Sequence, residues 1–136
     1  MSRIVGLDVG SKRIGIAVSD PFLITASPKG FIQNDEKAIE KLKEILQEFR
    51  TKEIVVGLPL TLKGLEGEQA NYTRAFVERL NSEIPDLKVH FVDERFTTSL
   101  AQKYIDPKRS NNKGYLDTLS AVFILQTYLD SLTFRS

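Results

Sequence analysis

Ile4-Val5-Gly6-Leu7-Asp8-Val9-Gly10-Ser11-Lys12-Arg13-Ile14-Gly15-Ile16-Ala17-Val18-Ser19-Asp20 reads as two β-strands joined by a tight turn. Residues 4, 6 and 8 share one face of the first strand and 5, 7 and 9 the other. Asp8 therefore emerges from a surface otherwise lined by Ile4 and Gly6. A carboxylate embedded in such a run is costly unless it is paired or bound to a cation.

Working outward, residues 25–32 suit a third strand at a sheet edge, because Pro28 cannot donate to a central ladder. Asn34 or Asp35 can cap a helix in which Ala38, Leu42, Ile45 and Phe49, with Ile39 and Leu46 beside them, recur at helical spacing. The run at 53–58 is apolar without alternation, as expected of a central strand buried on both faces. Residues 59–67 form a loop holding Lys63, Gly64 and Gly67, which opens into a helix striped by Phe76, Val77, Leu80 and Ile84 and ended by Pro85-Asp86. A strand at 87–94 again finishes in carboxylates, Asp93 and Glu94. Thr97 or Thr98 can cap a short helix to about Ile105, and 107–114 is a basic loop without an acid. The last helix, 115–132, is apolar on nearly every side, with Asp117 in its first turn. A three-strand meander followed by alternating helices and strands predicts right-handed crossovers and an α/β sheet covered on both faces.

The 136 residues suit one domain, 1–136, and 41% apolar with 27% charged residues is globular composition. Cysteine is absent, which excludes disulfides and thiolate metal sites and fits a cytoplasmic location. No signal peptide is expected, and the longest strongly apolar run, 121–125, is too short for a bilayer, so no membrane partner is expected either. A net charge of +1 leaves the question of a polyanionic partner to local clusters.

Asp8, Glu94 and Asp117 each stand where an α/β sheet opens its ligand crevice. Acids clustered without His or Cys point to Mg²⁺ or Mn²⁺, and two such ions about 4 Å apart would serve phosphodiester hydrolysis. Other readings of these residues stay open. Asp117 can be a helix-terminal acid favoured by the macrodipole, Glu94 can pair with Arg95 or Arg13, and Asp93 can take the metal role.

Four pieces in order, Gly6-Leu7-Asp8-Val9-Gly10-Ser11-Lys12-Arg13-Ile14-Gly15, Ile54-Val55-Val56-Gly57-Leu58-Pro59-Leu60 with Gly64, Asp93-Glu94-Arg95-Phe96-Thr97-Thr98, and Lys113-Gly114 before Asp117 and Ser120-Ala121-Val122-Phe123-Ile124-Leu125-Gln126, resemble the YqgF (RuvX) family. Its members are relatives of the Holliday-junction resolvase RuvC within the ribonuclease H-like superfamily. The resemblance spans almost the whole chain. It implies a ribonuclease H-like fold with a five-stranded mixed sheet in the order 3-2-1-4-5, flanked by helices on both faces. It also implies a metal-dependent nuclease whose catalytic and metal-binding acids fall on Asp8, Glu94 and Asp117, acting in 5′-end maturation of pre-16S rRNA or as a junction resolvase. In that sheet order Glu94 lies one strand beyond the neighbour of Asp8, so its side chain must reach inward, with Asp93 as the alternative.

Phosphate contacts supply most nucleic-acid affinity, which gives Lys12, Arg13, Lys63, Arg95, Lys108, Arg109 and Lys113 the expected task of holding a substrate backbone. His90 is the only histidine and cannot build a zinc site. Tyr72, Tyr104, Tyr115 and Tyr128 can stack bases or pack. A monomer or weak homodimer is expected. Two rival readings are an ATPase of the actin and sugar-kinase group, whose phosphate hairpin also reads Asp-x-Gly-Ser, and a non-catalytic RNA-binding assembly factor. The first needs two lobes, and this chain has length for one.

Overall fold

The hairpin forms as read. In the computed structural model, which describes residues 3–95 and 112–133, β1 (Val5–Val9) pairs antiparallel with β2 (Arg13–Ser19), and Asp8 stands opposite Gly15. The Gly10 amide donates to the Arg13 carbonyl at 2.9 Å and closes the turn. β3 (Ala26–Gln33) pairs antiparallel along the outside of β2, while β4 (Glu53–Leu58) runs parallel to β1 and β5 (Lys88–Asp93) parallel to β4. The sheet order is therefore 3-2-1-4-5, as the ribonuclease H-like reading requires.

Strand alternation divides the core in two. Val5, Leu7, Ile14, Ile16, Ile54 and Val56 face α1 (Ala38–Glu48) and α2 (Glu68–Glu83). Ile4, Ala17 and Val55 face α3 (Lys113–Thr133), which buries Ala121, Ile124, Leu125 and Leu129 against them. Burying these side chains from both faces contributes roughly 1.5–3 kcal/mol each before entropy is counted. No helix among the described residues is long and apolar enough to cross a membrane.

Two local readings change. The residue preceding α1 is Lys37, with no side-chain cap; Asp35 Oδ1 accepts the Lys37 amide at 2.9 Å instead. Asn34 is turned away from that helix, donating through Nδ2 to the Gly10 carbonyl at 2.7 Å and to the Tyr72 hydroxyl at 2.9 Å. A tertiary bond to the hairpin turn has outcompeted a local cap. At the other end, α3 begins at Lys113 rather than 115, with Asn112 Oδ1 accepting the Tyr115 amide at 3.0 Å. Asp117 thus lies in the second turn, where the macrodipole explanation for an acid is weak. The expected helix up to Ile105, the segment 107–111 with Lys108 and Arg109, and Tyr104 lie outside the described residues.

Candidate active site

Asp8 points to the α3 side of the sheet, and α3 comes down almost onto the strands there. A Cβ on Gly15 would overlap the carbonyl oxygen of Asp117, so the absence of that atom is what lets the second turn of α3 rest on β2. Because Gly15 is the register partner of Asp8, this contact brings Asp117 close to Asp8.

Glu94 follows β5 directly, one strand beyond the neighbour of β1. Its reach is made possible by Gly57 in β4. A Cβ at Gly57 would lie 2.5 Å from Ile124 Cδ1 and 3.3 Å from the Glu94 carboxyl carbon, so the Glu94 carboxyl occupies space over a strand position that carries no side chain. It arrives in hydrogen-bond contact with Asp8.

Burial, the hydrogen bond to Glu94 and the negative charges of Glu94 and Asp117 push the Asp8 carboxyl up to about 9. At neutral pH Asp8 is protonated and donates its proton toward Glu94. Asp117 is turned partly aside, since its Oδ2 accepts from Arg13 Nε at 2.8 Å. Among the described residues no three His, Cys, Asp or Glu side chains converge at metal-ligand spacing. The arrangement is a proton-sharing carboxyl pair with a third acid held beside it by a cation. Such a donor set fits a hard divalent ion: all its atoms are oxygens, and the proton held between Asp8 and Glu94 is what an ion would displace.

Asp93, the alternative acid, is committed elsewhere. Arg95 donates to it through Nη2 at 2.6 Å, through Nε and through its own amide, and these bonds hold the Asp93 carboxyl below its ordinary range. The Arg95 guanidinium also donates to the Leu62 carbonyl at 3.2 Å, so it braces the 59–67 loop beside the site. Lys12 in the hairpin turn, Lys63 in that loop and Lys113 at the head of α3 are exposed. His90 pairs with Glu53 at 2.7 Å and stacks on Tyr128 with centroids 4.6 Å apart. Sequence reasoning did not find Gly15 and Gly57 as positioning residues, although a glycine inside a strand is the ordinary mark of a close approach.

A family profile described as "RuvX: Holliday junction resolvase" matches residues 2–131. The chain belongs to the RuvX family. Its RuvX relatives include a protein of Sulfurihydrogenibium sp. named "Putative pre-16S rRNA nuclease", 60% identical over 138 residues that cover 100% of this chain and 95% of that one. A protein of Moorella thermoacetica with the same name is 42% identical, covering 96% of each. Among solved structures, RuvC of T. thermophilus in complex with a Holliday junction substrate superposes with a TM-score of 0.62 at 13% identity, covering 96% of each chain. The fowlpox virus resolvase in its junction complex superposes with a TM-score of 0.56 at 12% identity, covering 96% of this chain and 98% of that one. These likenesses establish the ribonuclease H-like fold for this RuvX protein.

Proposed function

We propose that the protein is an endonuclease hydrolysing phosphodiester bonds in the precursor of 16S rRNA, in the maturation of its 5′ end, with Mg²⁺ or Mn²⁺ held by Asp8 and Glu94 and completed by Asp117. The observation that carries this reading is the Asp8–Glu94 carboxyl pair, in which Asp8 keeps a proton at neutral pH because of burial, its hydrogen bond to Glu94 and the negative charges of Glu94 and Asp117. A bound divalent ion supplies Lewis-acid polarisation of the phosphoryl group and a water nucleophile at neutral pH. In this reading Asp8 surrenders its proton when the site is loaded. Arg13 stands beside Asp117, where its guanidinium can turn from that carboxylate to a phosphate oxygen. Exposed Lys12, Lys63 and Lys113, in the hairpin turn, the 59–67 loop and at the head of α3, serve in this reading as contacts for the flanking backbone. The names of the relatives support ribosomal RNA as the substrate; the family description and the fold neighbours support a four-way DNA junction as the second reading.

Cleavage mapping separates them. The purified protein with Mg²⁺ or Mn²⁺ is expected to cut precursor ribosomal RNA at the 5′ side of the 16S sequence, and Asp8→Asn to lose at least about 100-fold of that rate, about 2.7 kcal/mol of barrier. Preferential cutting of a four-way junction would move the substrate to DNA, and equal cutting by wild type and variant would overturn the assignment of the site.

A further inference from the structure

We propose that a nucleobase flanking the scissile phosphate binds in a groove between β3 and the first half of α3, stacked on Phe31. This rests on the nuclease reading above and adds a base subsite to it. The groove encloses about 440 Å³ and is lined by Pro28, Phe31, Asn112, Tyr115, Leu119 and Val122, with no Asp or Glu among its described lining residues. Phe31 keeps 43% of its surface exposed while part of its ring lies against Gly114, where a Cβ would overlap it. An aromatic ring wedged on one side and open on the other is a ready stacking platform.

Its place relative to the acids argues for a base as the occupant. Phe31 is the register partner of Gly15, and Gly15 of Asp8, so the three form one row across the sheet. Two interstrand steps put Phe31 about 10 Å from Asp8. α3 crosses this row at Gly15 with Asp117, leaving the acids on one flank of the helix and the groove on the other. Exposed Lys113 heads α3 next to Gly114, which meets the Phe31 ring, so it offers a cation for a backbone phosphate beside the stacked base, and Asn112 offers amide hydrogen-bonding chemistry at the rim. A chain of alternating phosphates and planar rings matches this alternation of cation and aromatic groove.

The test is fluorescence anisotropy in EDTA with a fluorescent octameric oligoribonucleotide, and with copies carrying one abasic position moved along it. Wild type is expected to show one position whose base removal weakens binding about 10-fold, the scale of one stacked base. Phe31→Leu and Tyr115→Leu, which keep apolar bulk, are expected to weaken binding of the intact probe to a similar degree and to add nothing on the probe abasic at that position. 2-Aminopurine placed there should be quenched by wild type and not by Phe31→Leu. If Phe31→Leu binds like wild type, or weakens every abasic probe equally, the groove is structural and the proposal falls. Wild-type binding without any base-sensitive position overturns the subsite alone; no binding of any probe overturns the subsite together with the nuclease reading.

Discussion

A carboxyl group that holds its proton at neutral pH, as Asp8 does, makes opposite contributions to stability and function. Its pKa in the folded chain, about 9, lies above the ordinary 3.8, so the native state binds a proton that the unfolded chain releases. Below about pH 4 both states are protonated and nothing is lost; as pH rises from there towards 9, this group alone erodes stability. Asp8→Asn retains an N–H that can donate to Glu94 and removes the titration. Without divalent ions it is expected to melt within about 1 °C of wild type at pH 4 and well over about 4 °C higher at pH 8, because the wild-type group loses about 1.4 kcal/mol per pH unit between its unfolded and folded pKa values. Thermal scans across pH check this, and parallel pH dependences for the two proteins would contradict it. Arg13 provides a second residue-scale test. The Arg13–Asp117 pair is partly exposed, with side-chain accessibilities of 22% and 27%, so Arg13→Gln is expected to cost no more than about 1 kcal/mol. Releasing Asp117 from its cation should tighten Mn²⁺ binding while slowing cleavage, a split that titration and single-turnover rates would read separately.

Elements meet at the site through glycines, and this is where sequence and structure part company. The strands and the apolar stripes of the helices could be read within a residue or two, because the apolar runs at 4–9 and 54–58 and the helical spacing at 38–49 and 76–84 are local features of the sequence. Lys113-Gly114 reads as loop in sequence, yet both lie in α3, where Gly114 leaves room for the Phe31 ring. The three acids were legible as types and positions. What brings Glu94 to Asp8 was not, because it depends on the empty space above Gly57 in another strand and on Ile124 of the helix covering it. Likewise, the commitment of Asp93 to Arg95 and of Asp117 to Arg13 follows from side-chain geometry that spacing does not encode. These contacts predict graded costs. Gly57→Ala crowds Ile124 and the Glu94 carboxyl and should destabilise by about 1–3 kcal/mol while weakening Mn²⁺ binding. Gly15→Ala meets backbone rather than a flexible side chain, so it must displace α3 and should cost at least about 3 kcal/mol. Urea midpoints rank the two, and a Gly15→Ala midpoint equal to wild type would mean that α3 does not seat on β2 as described.

At the scale of the molecule, a net charge of +1 hides an ordered distribution. Asp8, Glu94 and Asp117 come together where β1, the end of β5 and α3 meet, and the lysines of the hairpin turn, the 59–67 loop and the head of α3 are exposed. Replacing Lys12, Lys63 and Lys113 together by Gln is expected to flatten the salt dependence of single-stranded RNA binding by about 2 in log–log slope, at about 0.7 per phosphate contact. An unchanged slope would place the backbone elsewhere. The fold shared with RuvC accounts for the frame; the proposed chemistry rests on one exchange, in which the proton between Asp8 and Glu94 would be given up for a divalent ion. That exchange is measured directly by calorimetric titration of Mn²⁺ into the protein at pH 7.5 in two buffers of different ionisation enthalpy. Wild type is expected to release about one proton per first ion bound, and Asp8→Asn none, with at least about 10-fold weaker binding. Equal affinity in the two proteins with no buffer dependence would contradict the account.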